Sequence, residues 1–82
     1  MVKIVFTGDF KKLFSKIKDN SLKEKIKKQI EKINNNPQIG KPMRHNRKGT
    51  REVYIAPFRL SYEFIENINT INLLDLYHKD EQ

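Results

Sequence analysis

Apolar and polar residues alternate through MVKIVFT, residues 1 to 7, and the β-branched side chains there suit a first strand. Gly8 and Asp9 interrupt it, and Asp9 is placed to cap a helix. Phe10, Leu13, Phe14 and Ile17 then recur at i, i+3, i+4 and i+7, the apolar stripe of a helix. Asp19 and Asn20 break that period. Ser21 and Glu24 stand at the S-x-x-E spacing of a capping box, which predicts the start of a second helix. Leu22, Ile26, Ile30 and Ile33 form its apolar edge, with Lys23, Lys25, Lys27, Lys28 and Lys32 between them. NNNP at 34 to 37 ends it.

Residues 37 to 50, PQIGKPMRHNRKGT, read as a loop with two prolines and two glycines. REVYIA, FRLSYEFIE and TINLLDLYH follow as three strands, parted by Pro57 and by NINT at 67 to 70. The order β-α-α-β-β-β predicts an α+β fold: a small antiparallel sheet of about four strands packed on an N-terminal helical hairpin. The short join between the helices favours that hairpin, and the apolar stripes read as core. Eighty-two residues predict one domain, 1–82, with a modest core.

Composition narrows the chemistry. The chain has no cysteine, which excludes disulfides, thiolate catalysis and cysteine-ligated metals. No apolar run approaches the roughly 18 residues of a membrane span, and no signal-peptide pattern opens the chain. The expectation is a soluble, cytoplasmic protein. Its net charge of +7 is uneven. Residues 1 to 51 carry 15 Lys and Arg against four Asp and Glu; residues 52 to 82 carry two against six. A basic half suits a polyanion partner, and equally a solvated lysine-rich helix surface. The arginines are more selective: Arg44, Arg47, Arg51 and Arg59 all fall within 16 residues. In a chain where lysine is the default cation, a cluster of rigid two-pronged guanidiniums suggests a phosphate site.

Arg59 sits in APFRLSYEF, where Phe58, Leu60, Tyr62 and Phe64 alternate with it, Ser61 and Glu63. A symmetric loop of two or four residues within 67 to 70 makes opposed residue numbers sum to 137 and sets Arg59 across from His78. Arg and His together suit a phosphate, one stabilising charge and the other passing a proton. The same pair also reads as a surface histidine beside a solvated arginine.

KPMRHN followed by Gly49, then FRLSY, then LYHKDEQ, resembles the RelE/ParE superfamily of toxin–antitoxin toxins, with the likeness strongest to the YoeB branch. It runs over roughly residues 40 to 79. The resemblance implies a ribonuclease that cleaves mRNA in the ribosomal A site without metal or other cofactor. The ribose 2′-hydroxyl attacks the adjacent phosphate, leaving a 2′,3′-cyclic phosphate and a 5′-hydroxyl end. It also implies an antitoxin that covers the active face. By position, Arg59 matches the arginine that holds the scissile phosphate, His78 the general acid, and Arg44 a phosphate or RNA contact. Lys41, His45, Arg47, Lys48 and Arg51 complete a basic RNA-binding segment.

The chain departs from that branch in two places. GKPMRHN is too short to hold the glutamate proposed there as general base, and Lys79 replaces the terminal tyrosine. Glu52, His45 and Lys79 are the candidate bases. Glu52 reads equally as a structural partner of Arg51 or Arg59. A second class of function stays open: a non-catalytic ParE-like toxin that inhibits DNA gyrase, or a module that only binds its antitoxin. A plain RNA-binding protein would need aromatic platforms on its basic face. Tyr54, Tyr62 and Tyr77 lie on strands without basic interleaving, which disfavours it.

Overall fold

The computed structural model describes residues 2 to 45, 48 to 78 and 80. Its elements run β1 (Lys3–Phe6), α1 (Gly8–Ser15), α2 (Asn20–Asn35), β2 (Lys41–Pro42), β3 (Arg51–Ile55), β4 (Phe58–Ile65) and β5 (Thr70–His78). The α+β class and the order of helices before sheet are as expected. The sheet has five strands among the described residues, in the order β1-β5-β4-β3-β2. It is mixed rather than purely antiparallel, because β1 runs parallel to β5. The two helices and three further strands lie between β1 and β5 in the chain, ample length for the crossover a parallel pair needs. The fifth strand, β2, is a two-residue pairing inside the segment read as loop.

Both helices start on residues other than those the spacing suggested. Thr7 caps α1: its hydroxyl oxygen accepts from the Phe10 amide at 3.3 Å and its proton goes to the Leu73 carbonyl at 2.7 Å. Asp9 lies in the first turn, favourable beside the helix dipole. Asp19 caps α2, accepting from the Ser21 and Leu22 amides at 2.9 and 3.3 Å. A carboxylate two residues earlier thus starts the helix ahead of the Ser21–Glu24 box.

One core sits between the helices and one sheet face. Phe10, Ile26 and Ile33 pack there with Ile55, Leu60, Tyr62, Ile71, Leu73 and Leu76. Tyr62 also ties down the turn after α2. Its hydroxyl donates to the Pro37 carbonyl at 2.8 Å and accepts from the Gly40 amide at 2.9 Å. A side chain at Gly40 would place Cβ 2.6 Å from that oxygen, so only glycine fits. Burial raises the Tyr62 pKa above its ordinary value of 10.0, with the Gly40 hydrogen bond and the Arg51 charge acting the other way.

A stability prediction follows. Tyr62→Phe leaves two backbone groups without their partner and should cost about 1–3 kcal/mol. The thermal midpoint should drop by roughly 5–15 °C. Because the folded state holds the Tyr62 proton more tightly than the unfolded chain, this group's contribution is complete below the unfolded value of 10.0 and is lost as pH climbs through the higher folded one. Denaturant titrations of parent and variant between pH 8 and 11 check it. The gap between them should narrow only above about pH 10, and a gap independent of pH would refute it.

Candidate functional site

The face of the sheet turned away from the helices carries two rows of directly opposed residues. One row is Tyr54, Arg59 and Tyr77, across β3, β4 and β5. The next is Lys41, Glu52, Ser61 and Asp75, across β2 to β5. Opposed side chains on neighbouring strands stand roughly 5 Å apart, so the rows form one cluster. At its centre is the Glu52 carboxylate, only 4% exposed. It accepts a hydrogen bond from the Tyr77 hydroxyl on one oxygen. Its other oxygen lies 3.8 Å from an Arg59 Nη. Arg59 is the most accessible of the three, its side chain one-third exposed, and its guanidinium lies over the Tyr54 ring at 5.8 Å.

The hairpin register puts Tyr77, not His78, across from Arg59. His78 faces Phe58 instead, with the two rings edge to face at 5.7 Å. Two local features decide this. The loop is residues 66 to 69, a 3₁₀ turn with Asn69 in the left-handed region (φ 51°), so Ile65 pairs with Thr70 and the sum starts at 135. A bulge then inserts Leu74 on β5, because Ser61 pairs with Asp75 but Tyr62 pairs with Leu73. The sum becomes 136, and successive residues point to opposite faces. His78 therefore sits on the helix-side face, its Nδ1 3.6 Å from an Asp80 carboxylate oxygen.

A groove of about 610 Å³ adjoins the cluster beyond the end of β1, which pairs with β5 as far as Leu73. Tyr77, Ser61 and Asp75 line it from the sheet, Thr50 from the residue before β3, Asp9 and Lys12 from α1, and Lys16 from the C-cap of that helix. Lys12 and Lys16 are four residues apart and bring positive charge to the groove that Tyr77 also lines.

The basic segment divides. Lys41 joins the cluster's face, being opposed to Glu52. Arg44, His45 and Lys48 are exposed on the connection between β2 and β3, His45 at φ 60°. Arg51 lies in the alternate row, opposed to Tyr62, and its Nη1 donates to the Gln38 and Gly40 carbonyls at 3.1 and 2.8 Å. That guanidinium fastens the turn after α2. Arg47 and Lys79 lie outside the described residues.

Tyr77, Ser61, Lys12 and Lys16 were not singled out from the sequence. The sign of Tyr77's placement is the burial pattern on β5, which the structure supplies. Leu73 and Leu76 are both buried yet three apart, which a regular strand cannot bring to one face. Only an extra residue between them, the bulge at Leu74, lets both enter the core. The tyrosines also need correction. Tyr62 is core, whereas Tyr54 is half-exposed beside Arg59 and close to lysines of α2.

The family model for the ParE toxin of type II toxin–antitoxin systems, parDE, matches residues 4–82. The chain belongs to the ParE toxin family. This ParE-family toxin is the toxin type of a type II toxin–antitoxin system, and solved structures share its fold. The toxin–antitoxin complex RelBE2 from Mycobacterium tuberculosis aligns at TM-score 0.82 and 22% identity, over 95% of this chain and 98% of that one. The YoeB/ParE toxin from Agrobacterium tumefaciens aligns at 0.84 and 19%, over 94% and 98%. The YoeB–YefM complex from Staphylococcus aureus aligns at 0.71 and 25%, over 95% and 98%. No curated protein matches the chain. No helix among the described residues is long and apolar enough to cross a membrane.

Proposed function

We propose that this toxin is an endoribonuclease that cleaves mRNA by attack of a ribose 2′-hydroxyl on the adjacent phosphate, without a metal ion, and so stops translation at the ribosome in the cytoplasm. The observation that carries the reading is the Arg59–Glu52–Tyr77 cluster beside an open groove. Arg59 is the one-third exposed cation beside Glu52, and it holds the non-bridging oxygens of the scissile phosphate. Glu52 sits beneath it and fixes the direction of the fork. The Tyr77 oxygen takes the 2′-hydroxyl proton as its own proton passes to Glu52, which makes the pair a general base. The 2′-oxygen bonds to phosphorus, and the bond to the 5′-oxygen breaks. Lys79, placed by sequence position alone, gives that oxygen a proton. Lys41, Arg44, His45, Arg47 and Lys48 supply contacts to the RNA backbone.

The inhibiting partner is a cognate antitoxin. The RelBE2 and YoeB–YefM structures are toxin–antitoxin complexes, and the same fold here supports an equivalent pairing.

A second reading rests on one feature. Glu52 already opposes the charge of Arg59, as it would in a structural ion pair. A non-catalytic toxin that inhibits DNA gyrase, or binds its antitoxin alone, would need no more. Brief expression without antitoxin separates the two readings. Growth should arrest, and sequencing of RNA 5′ ends should reveal new hydroxyl termini within coding regions. Purified toxin with programmed ribosomes should give the same cuts in the presence of EDTA. Arrest with intact mRNA and broken DNA would instead establish the gyrase reading.

A further inference from the structure

β2 covers only the first two residues of β3, so from Val53 onward β3 is a sheet edge. Beside it lies a recess of about 280 Å³, lined by Tyr54 and by Lys25, Lys28 and Lys32 of α2. The three lysines are exposed, and none pairs with a carboxylate among the described residues. They stand at i, i+3 and i+7, on one helix face, about 4.5 and then 6 Å apart along its axis. Tyr54 is 50% exposed and carries the Arg59 guanidinium over its ring. A cationic stripe, an accessible aromatic ring and the Arg59 guanidinium thus follow one another across the edge.

We infer that Tyr54 with Lys25, Lys28 and Lys32 forms a docking track for single-stranded RNA, continuing the strand held at Arg59 around the β3 edge onto α2. The inference deepens the ribonuclease reading and rests on it for the direction of the strand. Single-stranded RNA fits because it offers both features the surface asks for. Each nucleotide brings a phosphate for a lysine and a flat base for a tyrosine ring. An acidic peptide would meet the lysines but has no use for an exposed ring already polarised by Arg59. A duplex would meet the lysines while keeping its bases stacked inside.

The test is binding of a labelled 2′-O-methyl oligoribonucleotide, which lacks the attacking hydroxyl, so affinity is read without cleavage. Lys25→Gln, Lys28→Gln and Lys32→Gln combined should weaken binding and flatten the log–log salt dependence by about two units, three phosphates at about 0.7 each. Tyr54→Ala should weaken it about ten- to hundredfold, and Tyr54→Phe should restore it. Thermal midpoints should be unchanged, since all four side chains are exposed. Equal binding by parent and variants would overturn the track, as would equal affinity for a duplex of the same length. Loss of antitoxin capture with RNA binding intact would reassign the surface to a protein partner and overturn it too. If the toxin cuts no RNA in cells yet the oligonucleotide still depends on these residues, the track stands and the nuclease reading alone falls.

Discussion

Replacing Arg59 by alanine should lower single-turnover cleavage of ribosome-bound mRNA by about 10²- to 10³-fold, the usual loss when one charge-stabilising group is removed. The expectation rests on position. Arg59, one-third exposed, is more accessible than Glu52 and stands between Tyr54 and Tyr77 in the register, and negative charge builds on the phosphate as the 2′-oxygen arrives. Its removal also takes one cation away from the Glu52 carboxylate buried beside Tyr77, which destabilises the fold. Arg59→Lys guards against that confusion. It keeps the charge over Glu52 but loses the two-pronged grip, so folding should be retained while cleavage still falls. Thermal melts of both variants precede the kinetics. A folded Arg59→Lys protein that cleaves at the parental rate would show that bidentate phosphate contact by this residue is not needed. Antitoxin binding by the same variant supplies a second check that the surface is intact.

Tyr77→Phe and Glu52→Gln should each slow cleavage by about 10²-fold, and the double variant should be little worse than the poorer single. A general base contributes about 10²- to 10⁴-fold, and two groups passing one proton act as a unit. Both substitutions keep side-chain volume, so packing changes little. The informative control is His78→Ala. Its ring lies on the helix-side face against Phe58, so cleavage should stay within about tenfold of the parent, below the usual general-acid effect. A loss beyond about a hundredfold in that variant, with Tyr77→Phe unaffected, would return proton transfer to His78 as the resemblance implies. The pH profile separates the cases further. Loss of a base should flatten the limb of the profile where rate rises with pH, and loss of an acid the opposite limb.

What the chain's sequence determined by itself was local or statistical in origin. The stripe Phe10, Leu13, Phe14 and Ile17 and the edge Leu22, Ile26, Ile30 and Ile33 specify two helices with one buried side, since helical periodicity needs no distant contact. The alternation in FRLSYEF put Arg59 on the polar face, where the structure has it, because strand geometry is equally local. Motif order led to the toxin superfamily that the family match then established. The tertiary structure alone decided which residues meet. Register depends on where a loop closes and on whether a strand carries an extra residue, and the 3₁₀ turn at Glu66–Ile68 and the bulge at Leu74 moved the partner of Arg59 from His78 to Tyr77. A shift of one residue exchanges the two faces of a strand, so a small local choice changed the chemistry across the site. Lys12 and Lys16 reach the groove, and Lys25, Lys28 and Lys32 reach Tyr54, only through helix packing over long sequence separations. Spacing along the chain carries no trace of such contacts, because they arise from burying the apolar stripes against a sheet whose edges are set elsewhere.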